Sequence, residues 1–116
     1  MIDQVRPSEL AQWVQAQAAD GAGVPVLLDV REAGELQAAS VAPTPAYEVQ
    51  AIPMNDVPAR LAELDPERPV ACLCHHGARS QRVALFLEHN GFARVANIAG
   101  GIDAWSRELD PAVPRY

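Results

Sequence analysis

Lysine is missing from this chain: all nine positive residues among its 116 are arginine. Schiff-base and lysine-nucleophile chemistry is therefore excluded. Cysteine is nearly as scarce, and the two that occur, Cys72 and Cys74, lie two positions apart, which reads as a pair of thiols and not as a staple. Long apolar runs are absent too. The stretch at residues 24–28 falls far short of the roughly 20 residues that span a bilayer. The start, Met1-Ile2-Asp3-Gln4, has no basic region followed by an apolar one, so no secretory signal is expected. The expected compartment is then the cytoplasm, where thiols stay reduced. The net charge of −6 argues against a nucleic-acid or anionic-membrane surface.

What is present is ordinary for a soluble globular protein, with 49% hydrophobic and 21% charged residues. The length fits one domain, taken as residues 1–116. Apolar runs alternate with amphipathic stretches, the pattern of an α/β domain around a mostly parallel sheet. Pro7 and Ser8 open a helix with Leu10, Trp13, Val14 and Ala18 on one stripe, interrupted by Gln17, whose turn is expected to be less buried. Residues 24–30 read as a buried strand and 32–37 as a short helix. Residues 38–46, with two prolines, read as a loop, and 47–52 have partial strand character. Asn55 can cap a helix carrying Val57, Leu61 and Leu64, with Pro58 in its first turn. Residues 70–74 form another strand. A helix follows over 80–90 with Val83, Phe86 and Leu87 on one side and Gly91 at its end. A strand at 95–98, a turn at Gly100-Gly101 and a helix at 102–109 complete the chain.

In such an architecture a site belongs at the carboxyl ends of the strands. The loop Cys74-His75-His76-Gly77-Ala78-Arg79-Ser80 carries the most reactive residues at such a place. Gly77 permits a tight bend with inward N–H groups, and the helix that follows adds positive potential. His75, His76, Arg79 and Arg82 surround it in an otherwise acidic chain. The expectation is a cysteine favoured as thiolate, in a pocket built for an anion.

This run resembles the active-site loop of the rhodanese family, whose short members carry Cys-x-x-Gly-x-Arg-Ser after the fourth strand. Leu27-Leu28-Asp29-Val30-Arg31-Glu32 is similar to that family's Asp-Val-Arg segment. Asn97-Ile98-Ala99-Gly100-Gly101-Ile102-Asp103-Ala104-Trp105 is similar to its Gly-Gly-Ile-x-x-Trp signature. The resemblance covers residues 3–109 in order. It departs at Ala39-Ser40-Val41-Ala42-Pro43-Thr44-Pro45-Ala46, where the family usually has Gly-His-Ile-x-Gly-Ala.

The resemblance implies a three-layer rhodanese-like fold, with a central, mostly parallel, five-stranded sheet and helices on both faces. It implies a sulfurtransferase that moves sulfane sulfur through a persulfide on Cys74. The donor would be thiosulfate or a persulfide, and the acceptor cyanide or a cellular thiol. The loop residues His75, His76, Gly77, Ala78 and Arg79 would hold the persulfide. Asp29, Arg31, Glu35 and Ser80 would support the loop, Arg79 pairing with an acidic partner for which Glu35 is the candidate. No metal or organic cofactor is implied. Another reading is a relay that passes sulfur to a protein acceptor. It is suggested by the similarity of Trp105-Ser106-Arg107-Glu108-Leu109-Asp110-Pro111 and Pro114-Arg115-Tyr116 to the ends of rhodanese domains fused to ubiquitin-like-activating enzymes.

Two rival readings of the loop fare worse. Tyrosine phosphatases place five residues between cysteine and arginine to cradle a tetrahedral phosphate; here there are four, and the tighter loop suits a sulfur atom. A metal site at Cys72, Cys74, His75 and His76 would crowd four ligands into five consecutive residues, poor geometry for tetrahedral zinc. Cys72 reads as a buried strand residue.

Overall fold

The structure, a computed structural model, describes residues 2–115; Met1 and Tyr116, at the two ends of the sequence reading, lie outside them. Five strands, β1 (Asp3–Val5), β2 (Val26–Asp29), β3 (Glu48–Ala51), β4 (Val70–Leu73) and β5 (Val95–Ile98), pair in the order β1-β5-β4-β2-β3. Every pairing is parallel. The helices are α1 (Leu10–Ala19), α2 (Ala33–Ala38), α3 (Ala78–His89) and α4 (Gly101–Glu108).

The three inner strands β2, β4 and β5 have every residue buried, as a parallel sheet covered on both faces requires. The two-residue period of a strand divides their side chains between two cores. Val26, Leu28, Val70 and Cys72, with Cys74 beyond the strand, face one side and pack with Val83, Ala84 and Leu87 of α3. Leu27, Ala71, Leu73, Ala96 and Ile98 face the other, against Leu10 and Trp13 of α1 and Ile102 and Trp105 of α4. The result is the three-layer α/β sandwich expected.

The topology also fixes where a site can open. β2 leads on to β3 at one sheet edge, whereas β4 leads on to β5 on the opposite side. The connections after β2 and β4 therefore leave in opposite directions, the position at which open α/β sheets bind their ligands.

Two local expectations are corrected, and one strand was not anticipated. The helix expected from Asn55 through Leu64 is instead two short 3₁₀ turns, Met54–Asp56 and Leu61–Glu63. Pro58 removes one backbone donor, and only Val57 and Leu64 bury fully, too sparse a stripe to hold a continuous helix. The last turn of α1 is mostly exposed, as expected, and Ala18, placed on the apolar stripe, is exposed with it; only Gln17 is buried there, where Arg94 Nη1 donates to its Oε1 at 3.0 Å while also reaching Asp20. The edge strand β1 was not foreseen: it has three residues, two of them exposed, and exists through its pairing with β5. Gly91 adopts φ +90° after α3, and the next N–H, from the buried Phe92, returns to Leu87 O at 3.1 Å, the glycine-ended helix foreseen. Among the described residues no helix is long and apolar enough to cross a membrane.

Candidate functional site: the loop between β4 and α3

Cys74 follows the last residue of β4 and is 1% exposed. α3 begins at Ala78, two residues before the sequence placed it, so its positive end lies close behind the sulfur. Between them Gly77 takes φ +106°, a conformation that side chains rarely adopt. In that conformation its N–H donates to Cys74 Sγ at 3.1 Å. The loop's carbonyls face the other way. Ile102 N–H donates to Cys74 O at 2.8 Å and Asp103 N–H to His75 O at 3.1 Å, so the first turn of α4 takes up the carbonyls. Gly100 and Gly101, at φ +82° and +60°, allow this approach: a Cβ on Gly101 would run into Cys74 O and His75 O. With two loop carbonyls tied to α4, the Gly77 N–H is left turned onto the sulfur, the kind of backbone donor from which anion cradles are built.

Ser80 is completely buried, and its Oγ lies 3.2 Å from Cys74 Sγ and 2.5 Å from Asn97 Oδ1. Asn97 Nδ2 donates to Gln4 Oε1 at 3.0 Å and to Gly77 O at 3.3 Å. The sequence reading used Asn97 only as part of a signature and passed over Gln4. A signal existed: Asn97 is a polar residue inside the otherwise apolar buried strand β5, and buried polar groups take partners.

The supporting residues assemble on the β2 side. Asp29 and Arg31 are 2% and 0% exposed and form a two-pronged pair, with Arg31 Nη2 donating to Oδ2 at 2.7 Å and Nε to Oδ1 at 2.9 Å. The same guanidinium reaches the end of α2 through Glu35 O at 3.2 Å and Ala39 O at 2.8 Å. α2 in turn presents the Glu35 carboxylate to Arg79 of α3, a second fork at 2.6 and 2.8 Å. The chain Asp29, Arg31, α2, Glu35, Arg79 thus ties the end of β2 to the helix behind Cys74. Arg82, on the next turn of α3, is exposed beside a shallow 150 Å³ cavity shared with Met54 and Phe86.

Of the remaining loop residues, Ala78 is exposed. His75 is half-buried, and its ring stacks on the exposed His76 with centroids 3.9 Å apart. Together with Asp103 they form a group whose ligand atoms lie within 4.8 Å of one another. Asp103, however, accepts from Arg115 at 3.0 Å and pairs with Arg107 at 3.2 Å, and these cations hold its carboxyl below the usual range, Arg115 foremost. Two guanidinium groups already stand where a metal ion would compete. Cys72 is wholly buried on the same face as Cys74, and that burial, with Cys74 nearby, pushes its thiol well up, which favours the protonated form.

The segment that departs from the resemblance has a structural role of its own. Ala39 and Val41 are buried in the core beside α4. Ser40, Val41, Thr44 and Tyr47 line a cavity of about 400 Å³ with Trp105 and Val113, and Tyr47 meets Trp105 edge-on at 6.4 Å. His89 is exposed at the end of α3.

Known proteins similar to this chain identify its family and fold. The model of the rhodanese-like domain matches residues 7–108. A sulfurtransferase of Allochromatium vinosum is 33% identical over 113 residues, which cover 97% of this chain and 96% of that protein. The chloroplastic rhodanese-like/PpiC domain-containing protein 12 of Arabidopsis thaliana is 39% identical over 94 residues, 78% of this chain but only 30% of the plant protein. Among solved structures, a rhodanese-related protein from Thermoplasma volcanium superimposes with a TM-score of 0.73 at 27% identity, over 98% of this chain and 99% of the other. The chain belongs to the rhodanese-like family, within which its similar proteins include sulfurtransferases.

Proposed function

We propose that the chain is a sulfurtransferase in which Cys74 carries the transferred sulfur as a persulfide. The observation behind this reading is the placement of Cys74 Sγ at the start of α3 with the Gly77 N–H aimed at it from 3.1 Å. The reaction is a double displacement. The Cys74 thiolate attacks the outer sulfur of thiosulfate, the S–S bond of the donor breaks, and sulfite leaves with the bonding pair. The enzyme is left as Cys74–S–S⁻. A thiophilic anion, cyanide or a thiolate, then attacks the terminal sulfur and Cys74 leaves as thiolate, so charge and electrons balance in both steps. Splitting the transfer in two replaces one hard step by two easier ones. The loop from His75 to Arg79 stabilises the terminal sulfur anion as an oxyanion hole would. The Arg79–Glu35 and Arg31–Asp29 forks hold that loop to α2 and the end of β2, and the chemistry asks for no metal or organic cofactor.

Thiocyanate formation from thiosulfate and cyanide tests this. Cys74→Ser is expected to abolish turnover, while Cys72→Ser, changing a thiol that stays protonated, retains most of it. The reverse pattern would move the chemistry to Cys72 and overturn the reading. A wild-type protein that forms no thiocyanate would instead favour the relay, in which sulfur arrives from and leaves to protein partners.

The cradle has its own test. Gly77→Val forces a branched side chain into φ +106° at a position that supplies a sulfur donor. It is expected to lower turnover at least about 100-fold, the scale of losing one oxyanion-hole donor, with the circular dichroism of a folded protein. Valine keeps the backbone N–H, so retained activity would show that the cradle does not depend on the left-handed turn at position 77.

A further inference from the structure

Ser80 has one hydroxyl proton and two neighbours that compete for it. The orientation of Asn97 decides between them. Gly77 O is a backbone carbonyl and can only accept, so the Asn97 atom 3.3 Å from it must be the amide nitrogen. The atom facing Ser80 at 2.5 Å is then the carbonyl oxygen, which also can only accept. Ser80 must donate to Asn97, and it turns a lone pair toward Cys74 Sγ, 3.2 Å away. In this arrangement Ser80 accepts from a Cys74 S–H and offers an anionic sulfur nothing. Only by turning its proton from Asn97 to the sulfur does it become a second donor beside Gly77. That turn leaves a buried amide oxygen unpaired, which proteins avoid.

The geometry points to Asn97 as a positioning residue that sets the direction of the Ser80 proton and thereby governs when Cys74 gains its second sulfur donor. Asn97 itself is 4% exposed and is held in register opposite Cys72 on the neighbouring strand. Its Nδ2 is further fixed by Gln4, whose own amide nitrogen donates to Gln81 Oε1 at 2.6 Å. The switch is therefore anchored from β1 and α3 as well as from β5. The inference rests on Cys74 being the reacting sulfur.

The test is the pH dependence of Cys74 alkylation by iodoacetamide, with the modified residue located by peptide mass. Asn97→Ala frees the Ser80 proton to point at the sulfur, so the midpoint of the alkylation profile is expected to fall, by roughly half a pH unit or more. Because Asn97 acts through Ser80, the same change made in Ser80→Ala is expected to move the midpoint no further. Asn97→Ser keeps a polar group but is too short to hold Ser80, and carries the same expectation should the alanine variant fail to fold. The ionisable groups set around the loop are Cys72 on β4, His75, His76, the Arg79–Glu35 and Asp29–Arg31 pairs, and Asp103 on α4; none changes in these variants. An unchanged or raised midpoint, or an equal shift in the Ser80→Ala background, overturns the proposal and leaves Asn97 a structural residue. Alkylation needs no sulfur transfer, so thiosulfate turnover of the wild type, measured alongside, separates a failure here from a failure of the sulfurtransferase reading.

Discussion

Arg31→Ala is expected to destabilise the protein by about 3–5 kcal/mol, the cost of stranding one partner of a buried ion pair. Arg31 is the largest fully buried side chain, and Asp29 beside it is 2% exposed. Truncation leaves a carboxylate in the interior with its guanidinium gone, and it strips donors from Glu35 O and Ala39 O at the end of α2. At roughly 4 °C per kcal/mol for a domain of this size, the midpoint of thermal unfolding should fall by about 10–20 °C. The double variant Asp29→Asn with Arg31→Met removes the charge along with its partner and should recover part of that loss, because the penalty is mostly the unpaired charge. Calorimetry of both variants checks this. A loss under about 1 kcal/mol for Arg31→Ala would mean that water reaches Asp29, as it does at surface pairs. Turnover should suffer in parallel, since α2 carries the Glu35 carboxylate that holds Arg79.

Gly101→Ala is expected to damage stability and activity together. Its φ of +60° costs an L-residue about 1–2 kcal/mol, and the added methyl meets the carbonyls of Cys74 and His75, with overpacking adding about 1–3 kcal/mol. Those carbonyls belong to the reactive loop. Relief of the clash must push either α4 or the loop, and both are joined by the Ile102 and Asp103 N–H bonds. Urea unfolding and thiocyanate formation should therefore both show the change. Gly34→Ala is the control: it sits in α2 at negative φ with nothing near its absent Cβ, and should gain up to about 1 kcal/mol without loss of turnover. If Gly101→Ala behaved like Gly34→Ala, α4 would not be the support of the loop carbonyls.

How much of this was legible in the sequence follows from the range over which each feature is encoded. β2, β4 and β5 are buried on both faces and so are written as mainly apolar runs, broken only by Asp29 and Asn97, and α3 is marked by the spacing of Val83 and Leu87 and by Gly91. Contacts that join distant segments leave no local trace. β1 is a strand because β5 offers an edge, and Gln17 is buried because Arg94 comes to meet it. The candidate site divides the same way. Cys74, Gly77 and the start of the helix are one stretch of chain, readable as a unit, whereas the pairing of Arg79 with Glu35 was suggested only by family resemblance. That Arg31 turns inward to grip the end of α2, and that Gly101 exists to let a helix touch two carbonyls, required the fold. Asn97 could have been singled out as a polar residue in a buried strand, but its partners come from two other places, Gly77 and Ser80 from the start of α3 and Gln4 from β1.

The central claim is that Cys74 holds the sulfur in transit. The protein is incubated with thiosulfate, freed of small molecules, and its intact and peptide masses are recorded before and after cyanide. The account predicts a gain of one sulfur atom on the peptide carrying Cys74, complete reversal by cyanide with release of thiocyanate, and no gain in Cys74→Ser. Sulfur found on Cys72, or a wild-type protein that turns thiosulfate over without ever carrying the added sulfur, would contradict it.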